Sequence, residues 1–226
     1  FITHATYGET AVVMAVTEPG QGSKGISAFV LERTMPGFST GKKENKLGMR
    51  ASDTATIIME NVRVPKENLL GGETGNGFKQ ALQILDGGRV SIAACSVGTA
   101  QGAYETALAY SKERKQFGKP LAEFQATQFK LAKMAMDIEA ARLLTHKAAW
   151  MRTQGMDINV AASYAKLFAS EVATRVTNEA VQILGGYGFT KDYAAEKYYR
   201  DVKLLTIGEG TSEIQRLVIS RRLLQD

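Results

Sequence analysis

Gly208-Glu209-Gly210 sets one carboxylate between two glycines, and Thr211-Ser212-Glu213-Ile214-Gln215-Arg216 follows at once. Glycine permits a tight turn and lets a ligand come close to the backbone. Ser212 and Gln215 have capping-box spacing, which predicts a helix starting there. The free amide N–H groups and positive dipole end of such a helix favour an electron-rich ligand. The chemistry this pattern offers is proton abstraction by a base held at the lip of a polar site. The alternative is a capped helix after a glycine turn, with Glu209 solvated. Other reactive side chains are sparse. His4 and His146 stand isolated, without the His-x-x-x-His or carboxylate spacing of a metal site. Cys95 is the only cysteine, which excludes an intrachain disulfide or a cysteine metal centre and suits a reducing compartment.

The elements that must position Glu209 change character along the chain. Ala11–Val16 and Ile26–Leu31 are short β-rich runs, separated by the turn chemistry of Glu18-Pro19-Gly20-Gln21-Gly22-Ser23. Thr54–Met59 alternates and reads as a further strand. Residues 1–72 are therefore expected to form a partial antiparallel β-domain. After Gly75-Asn76-Gly77 only one proline remains, Pro120, and alanine becomes frequent. Helices are expected from Phe78 to about Arg114, from Leu121 to Gln154, from Asn159 to about Ile183, from Tyr193 to Val202, and from Ser212 to Leu224. Gly87, Gly88, Gly98 and Gly102 are costly inside the first of these, so close packing against another backbone or a ligand is expected there. Leu131, Met134, Ile138, Ala141 and Thr145 recur at spacings of three and four and predict a buried stripe. Tyr164, Phe168, Val172, Val176 and Ile183 are expected on one face of the next helix. Long helices joined by short turns imply an antiparallel bundle. The fold class is thus α+β, with a β-domain over 1–72 and a C-terminal helical bundle over 73–226. Leu143, Leu144 and Ala148 lie beside the buried stripe and are expected to serve assembly.

Composition narrows the function. The net charge of +5 is spread along the chain, and 44% of residues are hydrophobic. That balance suits an anionic small ligand better than a nucleic acid, since no basic stripe interleaves with aromatics. No apolar run is long enough to span a membrane. The chain begins with Phe1 rather than Met, and its first residues read as the end of a motif, so a longer protein is expected.

Several motifs, in order along the whole chain, resemble the acyl-CoA dehydrogenase family. They are Phe1-Ile2-Thr3, Gly37-Phe38-Ser39, Lys46-Leu47-Gly48-Met49-Arg50, Leu85-Asp86-Gly87-Gly88-Arg89, Arg114-Lys115-Gln116-Phe117-Gly118, Gln182-Ile183-Leu184-Gly185-Gly186-Tyr187-Gly188, Tyr199-Arg200-Asp201, and Gly208 to Arg216. The pattern is most similar to the short-chain, butyryl-CoA branch. The resemblance implies an FAD-carrying oxidoreductase of fatty acid β-oxidation that converts an acyl-CoA to its trans-2-enoyl-CoA. It implies electron transfer to an electron-transfer flavoprotein, a homotetramer built as a dimer of dimers, and a bacterial cytoplasm or mitochondrial matrix location. It also implies a missing N-terminal helical domain and a longer β-domain. An acyl-CoA oxidase using oxygen, or a non-redox binding and assembly module with the same bundle, are the rival functions.

The resemblance also implies roles. Glu209 matches the catalytic base, which needs a dry pocket because desolvation makes a carboxylate a stronger base. Some relatives carry the base where Gly88 stands here. Gly208 replaces a tyrosine common in relatives and is expected to open the acyl pocket, unless another side chain fills the space. Phe1 and Thr3 match flavin-ring contacts. Arg114, with Phe117 and Gln125, matches the FAD pyrophosphate contact, where a guanidinium fork fits phosphate oxygens. Gln182, Gly185 and Gly186 match a loop near the adenosine half, and Thr211 and Glu213 match polar FAD contacts. In the family the Arg114 and Gln182–Gly186 groups reach a neighbouring subunit's flavin. Asp86 and Arg89 match a region that meets the acyl-CoA, the alternative being a surface salt bridge on a helix. No metal ligand is implied.

Overall fold

The structure, a computed structural model, describes residues 1–225 of the chain. Two compact units divide it: Phe1–Leu85, and the chain from Asp86 onward.

The first unit holds three antiparallel two-stranded ladders. β1 (Ile2–Thr3) pairs with β5 (Thr54–Ala55). β2 (Thr10–Val16) pairs with β3 (Ile26–Glu32) over the full length of both strands, and β4 (Phe38–Thr40) pairs with β6 (Ile57–Met59). The expected strand over Thr54–Met59 is thus split at Thr56, and its halves serve different partners. Its alternation predicted a strand but carried no sign of the change of neighbour. His4 Nδ1 lies 3.3 Å from Asp53 Oδ1. The Thr6 hydroxyl also donates to Asp53 and, with the Thr6 amide and His4, holds that buried carboxyl below its ordinary pKa. These contacts tie the chain after β1 to the segment before β5. Gly75 donates its N–H to Ser27 Oγ at 2.9 Å, and the backbone at Gly77 passes so close to Ser27 that no Cβ would fit.

From Gly77 the chain is helical. α1 (Gly77–Glu113) precedes a small hairpin of β7 (Lys115–Gln116) and β8 (Lys119–Pro120). α2 (Gln125–Thr153), α3 (Asn159–Leu184), the single turn α4 (Gly186–Phe189), α5 (Ala195–Asp201) and α6 (Ser212–Leu223) follow. α2 begins four residues later than expected, because Pro120 opens a short 3-10 turn over Leu121–Glu123 first. α3 packs against α2, α5 and α6 and forms the centre of the second unit.

The expected stripe on α2 is buried throughout, and Ala148 continues it. Burying Leu131, Met134 and Ile138 contributes about 1.5–3 kcal/mol each. Ala148 is therefore a core residue rather than an assembly residue; only Leu143 of the expected trio is well exposed. On α3 the expectation of a large apolar face fails in part. Val172 and Val176 are buried, but Tyr164 is exposed, and the buried stripe is built from Ala162, Ala165, Ala169, Ala173 and Ala180. Small side chains let neighbouring helices approach closely, so the tightest face of this helix is its least bulky one.

Of the expected close approaches along α1, three are real. A Cβ on Gly87 would lie 2.8 Å from the Arg152 guanidinium, one on Gly102 would lie 2.9 Å from the Tyr198 hydroxyl, and Gly88 faces Glu209. Gly98 meets nothing within 4 Å, so its lack of a side chain has no packing explanation in this chain.

Candidate active site

The turn before α6 holds one of the five non-glycine residues with positive φ among the described residues. Glu209 has φ 56 and Gly210 has φ 92. Glycine adopts that region freely, but a non-glycine residue there costs on the order of 1–3 kcal/mol and persists only where its surroundings impose it. Gln215 imposes it: its Nε2 donates to the carbonyls of Glu209 and Gly210, each at 3.1 Å, and the side chain is fully buried. A second donor, Lys166 Nζ on α3, reaches the Gly210 carbonyl at 2.7 Å. The helix cap differs from expectation by one residue. Thr211 is the N-cap and its hydroxyl accepts from Ile214 N at 3.4 Å, while Ser212 is already helical. Gln215 folds back, but toward the turn's carbonyls rather than the cap's N–H.

This geometry delivers the Glu209 carboxyl to Gly88 on α1. A Cβ built on Gly88 would fall 2.7 Å from the Glu209 carboxyl carbon and 3.3 Å from its Cγ. The two positions at which the family resemblance allows a base therefore converge on one place, from helix and from turn. Glu209 is half-buried in this chain and not sealed from water as the chemistry asks. Because the clash at Gly88 falls on the end of a flexible side chain, Gly88→Ala should displace the carboxylate without breaking the fold. Helix propensity then adds about 0.5–1 kcal/mol of stability, while, if Glu209 is the base that the resemblance implies, an ångström of misplacement lowers proton abstraction by about tenfold to a hundredfold. Calorimetry and stopped-flow kinetics on the same variant read the two opposite movements.

Around the turn the charges are paired unevenly. Arg89 is buried and its Nη1 lies 2.7 Å from Asp86 Oδ1, which also accepts from Asn159 Nδ2 at 3.0 Å. Asp86 and Arg89 thus form the helix ion pair that was the alternative reading, except that its arginine lies inside the unit. The Arg89 Nε is shielded from water without a hydrogen-bond partner. Lys166 is pushed down to about 8, by burial first and then by Arg89, against the opposing pull of Glu209, Glu213 and Glu171. Glu213 is exposed on the first turn of α6, where its own backbone N–H and the Thr211 hydroxyl hold its carboxyl below the ordinary value. A Cβ built on Gly208 would make ordinary van der Waals contact with Leu204, 3.5 Å from its carbonyl oxygen and 3.9 Å from its Cδ1.

A second concentration of expected residues lies at the other end of α3. Arg114, Gly185 and Gly186 line one groove together with Tyr110 and Tyr187. Among the described residues Arg114 makes no ion pair, and its guanidinium lies over the Tyr187 ring at 6.0 Å. Gly185 has φ 59, and neither Gly185 nor Gly186 would meet an atom within 4 Å if given a Cβ. An unpaired guanidinium beside open backbone fits a pyrophosphate. Gln182 is exposed near the end of α3 and Gln125 is exposed at the start of α2; neither lines this groove. Phe117 and Gly118 form the two-residue turn between β7 and β8, both with positive φ, 52 and 82. Phe117 is 93% exposed and touches Phe124 edge to face.

In the first unit, Thr3 lines a largely apolar hollow with Val12, Met14, Phe38, Ile57 and Met59, and Phe1 is 95% exposed at the chain end. Among the described residues no group of three His, Cys, Asp or Glu side chains could hold a metal, and no helix is long and apolar enough to cross a membrane. Sequence reasoning missed Lys166 and read Gln215 only as half of a capping box. A signal for Lys166 existed: it is the one charged residue on the small-residue stripe Ala162, Lys166, Ala169, Ala173.

A carboxylate on a left-handed turn thus meets a helical glycine, in an α-helical unit that follows antiparallel ladders. Two family models account for the chain: the acyl-CoA dehydrogenase middle domain over residues 1–62 and the acyl-CoA dehydrogenase C-terminal domain over residues 75–224. The chain belongs to the acyl-CoA dehydrogenase family. It is 54% identical to a probable acyl-CoA dehydrogenase of Bacillus subtilis, covering 100% of this chain and 59% of that protein. Butyryl-CoA dehydrogenase from Megasphaera elsdenii superposes with a TM-score of 0.97 at 49% identity, over 99% of this chain and 58% of that one. A solved structure from work on the electron transferring flavoprotein of Acidaminococcus fermentans and flavin-based electron bifurcation gives 0.98 at 53% identity, over 100% and 59%. The chain thus spans somewhat over half the length of these relatives, and homologues in the family use FAD.

Proposed function

We propose that the protein containing this chain is a short-chain acyl-CoA dehydrogenase with Glu209 as its base. The observation that carries this reading is the Glu209 carboxyl held against Gly88 by a turn whose two carbonyls are clamped by Gln215 and Lys166. The α-proton of a thioester is weakly acidic, so its removal needs a carboxylate already in place. In the reaction the α-C–H bond gives its proton to Glu209, the β-C–H bond gives up hydrogen with its electron pair, and a Cα=Cβ double bond forms. A bound FAD supplies the acceptor for that hydride. By the family resemblance Arg114 and the open backbone at Gly185 and Gly186 would hold the pyrophosphate side of a neighbouring subunit's FAD, and Thr211 and Glu213 would make polar contacts to FAD. By the family resemblance, Gly208 stands where many relatives carry tyrosine and would widen the acyl pocket.

Electron transfer to an electron-transfer flavoprotein is the matching reoxidation step, supported by the likeness to the chain from the Acidaminococcus work. Assembly into a homotetramer is supported by α2. Phe129, Met136, Leu143 and Trp150 recur every seventh residue and are each at least 58% exposed. Such an exposed apolar row suits contact with another chain better than it suits water.

The test uses the full-length protein. It should be purified yellow, run as a tetramer in light scattering, and bleach when butyryl-CoA is added without oxygen. With an artificial electron acceptor, a panel of acyl-CoAs should show highest kcat/KM among short chains. A colourless protein that binds no added FAD, or one inert to every acyl-CoA, overturns the reading.

A further inference from the structure

Arg114 has a long side chain, and a long side chain loses rotamer freedom when a ligand fixes its head. A guanidinium held in place beforehand binds at lower cost. Its backbone is already held: the Arg114 N–H donates to the Tyr110 carbonyl at 2.9 Å, and its own carbonyl accepts from the Leu121 N–H at 2.8 Å. The acid that lines the same groove, Asp192, does not hold the head; it accepts from the Thr190 hydroxyl at 2.8 Å. What the guanidinium does meet is the Tyr187 ring, with the centroid 6.0 Å away.

That ring is itself braced. It meets Tyr193 edge to face with centroids 5.9 Å apart, and Tyr110 at 6.3 Å. Tyr110 and Tyr193 meet each other edge to face at 5.5 Å, and Tyr110 is buried. The α4 turn that carries Tyr187 is seated as well. Gly188 donates its N–H to the Gly185 carbonyl at 2.9 Å, and a Cβ on Gly188 would fall 2.5 Å from the Val181 carbonyl oxygen, so α4 lies directly on the end of α3.

We propose that Tyr187 is a positioning residue for Arg114: its ring, braced by Tyr110 and Tyr193, pre-orders the guanidinium in the groove and leaves its charge and its N–H donors to a pyrophosphate. The inference rests on the reading of Arg114 as an FAD contact. A carboxylate in the same place would hold the head more tightly, but it would cancel the charge and occupy donors in a fork. An aromatic face attracts a cation through its quadrupole and leaves the net charge intact. The ring therefore lowers the ordering cost without competing with the ligand.

A double-mutant cycle on the full-length holoenzyme tests this. Serial dilution, with released flavin read by fluorescence, gives the Kd for FAD. Tyr187→Leu should raise that Kd about two- to fivefold, the range set by a cation over an aromatic face at an exposed site. Tyr187→Phe keeps the ring and should restore the parent value. In an Arg114→Ala background, Tyr187→Leu should change nothing further, because the residue through which it acts is gone. If Tyr187→Leu does not fold, Tyr187→Met takes its place in the same cycle. An unchanged Kd in the folded single variant, a Tyr187→Phe as weak as Tyr187→Leu, or the same loss in both backgrounds overturns the proposal. Failure of the underlying reading shows separately, as parent-like FAD retention in Arg114→Ala alone.

Discussion

Glu209→Gln lowers the rate at which acyl-CoA bleaches the flavin by about two to four powers of ten, the usual contribution of a positioned base. Glutamine keeps the side chain's size and can still hydrogen-bond, but it cannot accept the α-proton. The clamps on the turn act on the backbone carbonyls of Glu209 and Gly210, not on the carboxyl. The substitution therefore leaves the turn, the fold and the yellow cofactor in place. If the proposed proton and hydride losses are coupled, losing one acceptor stalls both and carries the effect toward the upper end. Glu213→Gln is the control. Its side chain is 78% exposed and its partner Arg216 lies 4.0 Å away, so flavin reduction should stay within a few-fold of the parent. Stopped-flow bleaching at saturating butyryl-CoA measures both. Parent-like bleaching in Glu209→Gln would place the base elsewhere.

Arg114→Ala should release FAD while leaving the bundle folded. The guanidinium is exposed and unpaired among the described residues, and its contact with the Tyr187 ring at 6.0 Å is worth about 0.5–1 kcal/mol at an exposed site. A charge-assisted bond to a pyrophosphate contributes about 1.5–3 kcal/mol, so affinity for FAD should fall about ten- to a hundredfold. Flavin-to-protein absorbance after gel filtration reads the loss, and circular dichroism checks the helices. Flavin content unchanged from the parent would remove Arg114 from the cofactor site.

The parts of this arrangement that were legible in the sequence are those written in local chemistry. Gly155 and Gly185 end α2 and α3 where glycine is expected to, and Pro120 keeps the segment before α2 out of helix. The Gly208-Glu209-Gly210 turn announced itself because two glycines flanked one acid. The parts that were not legible depend on partners distant in the chain. Thr54–Met59 alternates like a single strand, and nothing within it shows that Ala55 pairs with Ile2 while Ile57 pairs with Thr40. Gln215 spells a capping box with Ser212, and the same side chain serves equally well to hold a left-handed turn six residues back. Lys166 reads as an ordinary solvated lysine until the alanines around it prove to be the closest-packed face of α3.

The row Phe129, Met136, Leu143 and Trp150 has a geometric consequence of its own. An α-helix turns once in 3.6 residues, and a seven-residue spacing falls short of two turns by about 20°. Over the three intervals from Phe129 to Trp150 the row therefore slides around a straight α2 by roughly 60°. A second helix that stays on the row cannot run parallel to the axis of α2. It must wind around it with left-handed sense, crossing at about 20°. If the proposed assembly seats a helix on this row, the spacing of these four side chains sets the handedness of that pair.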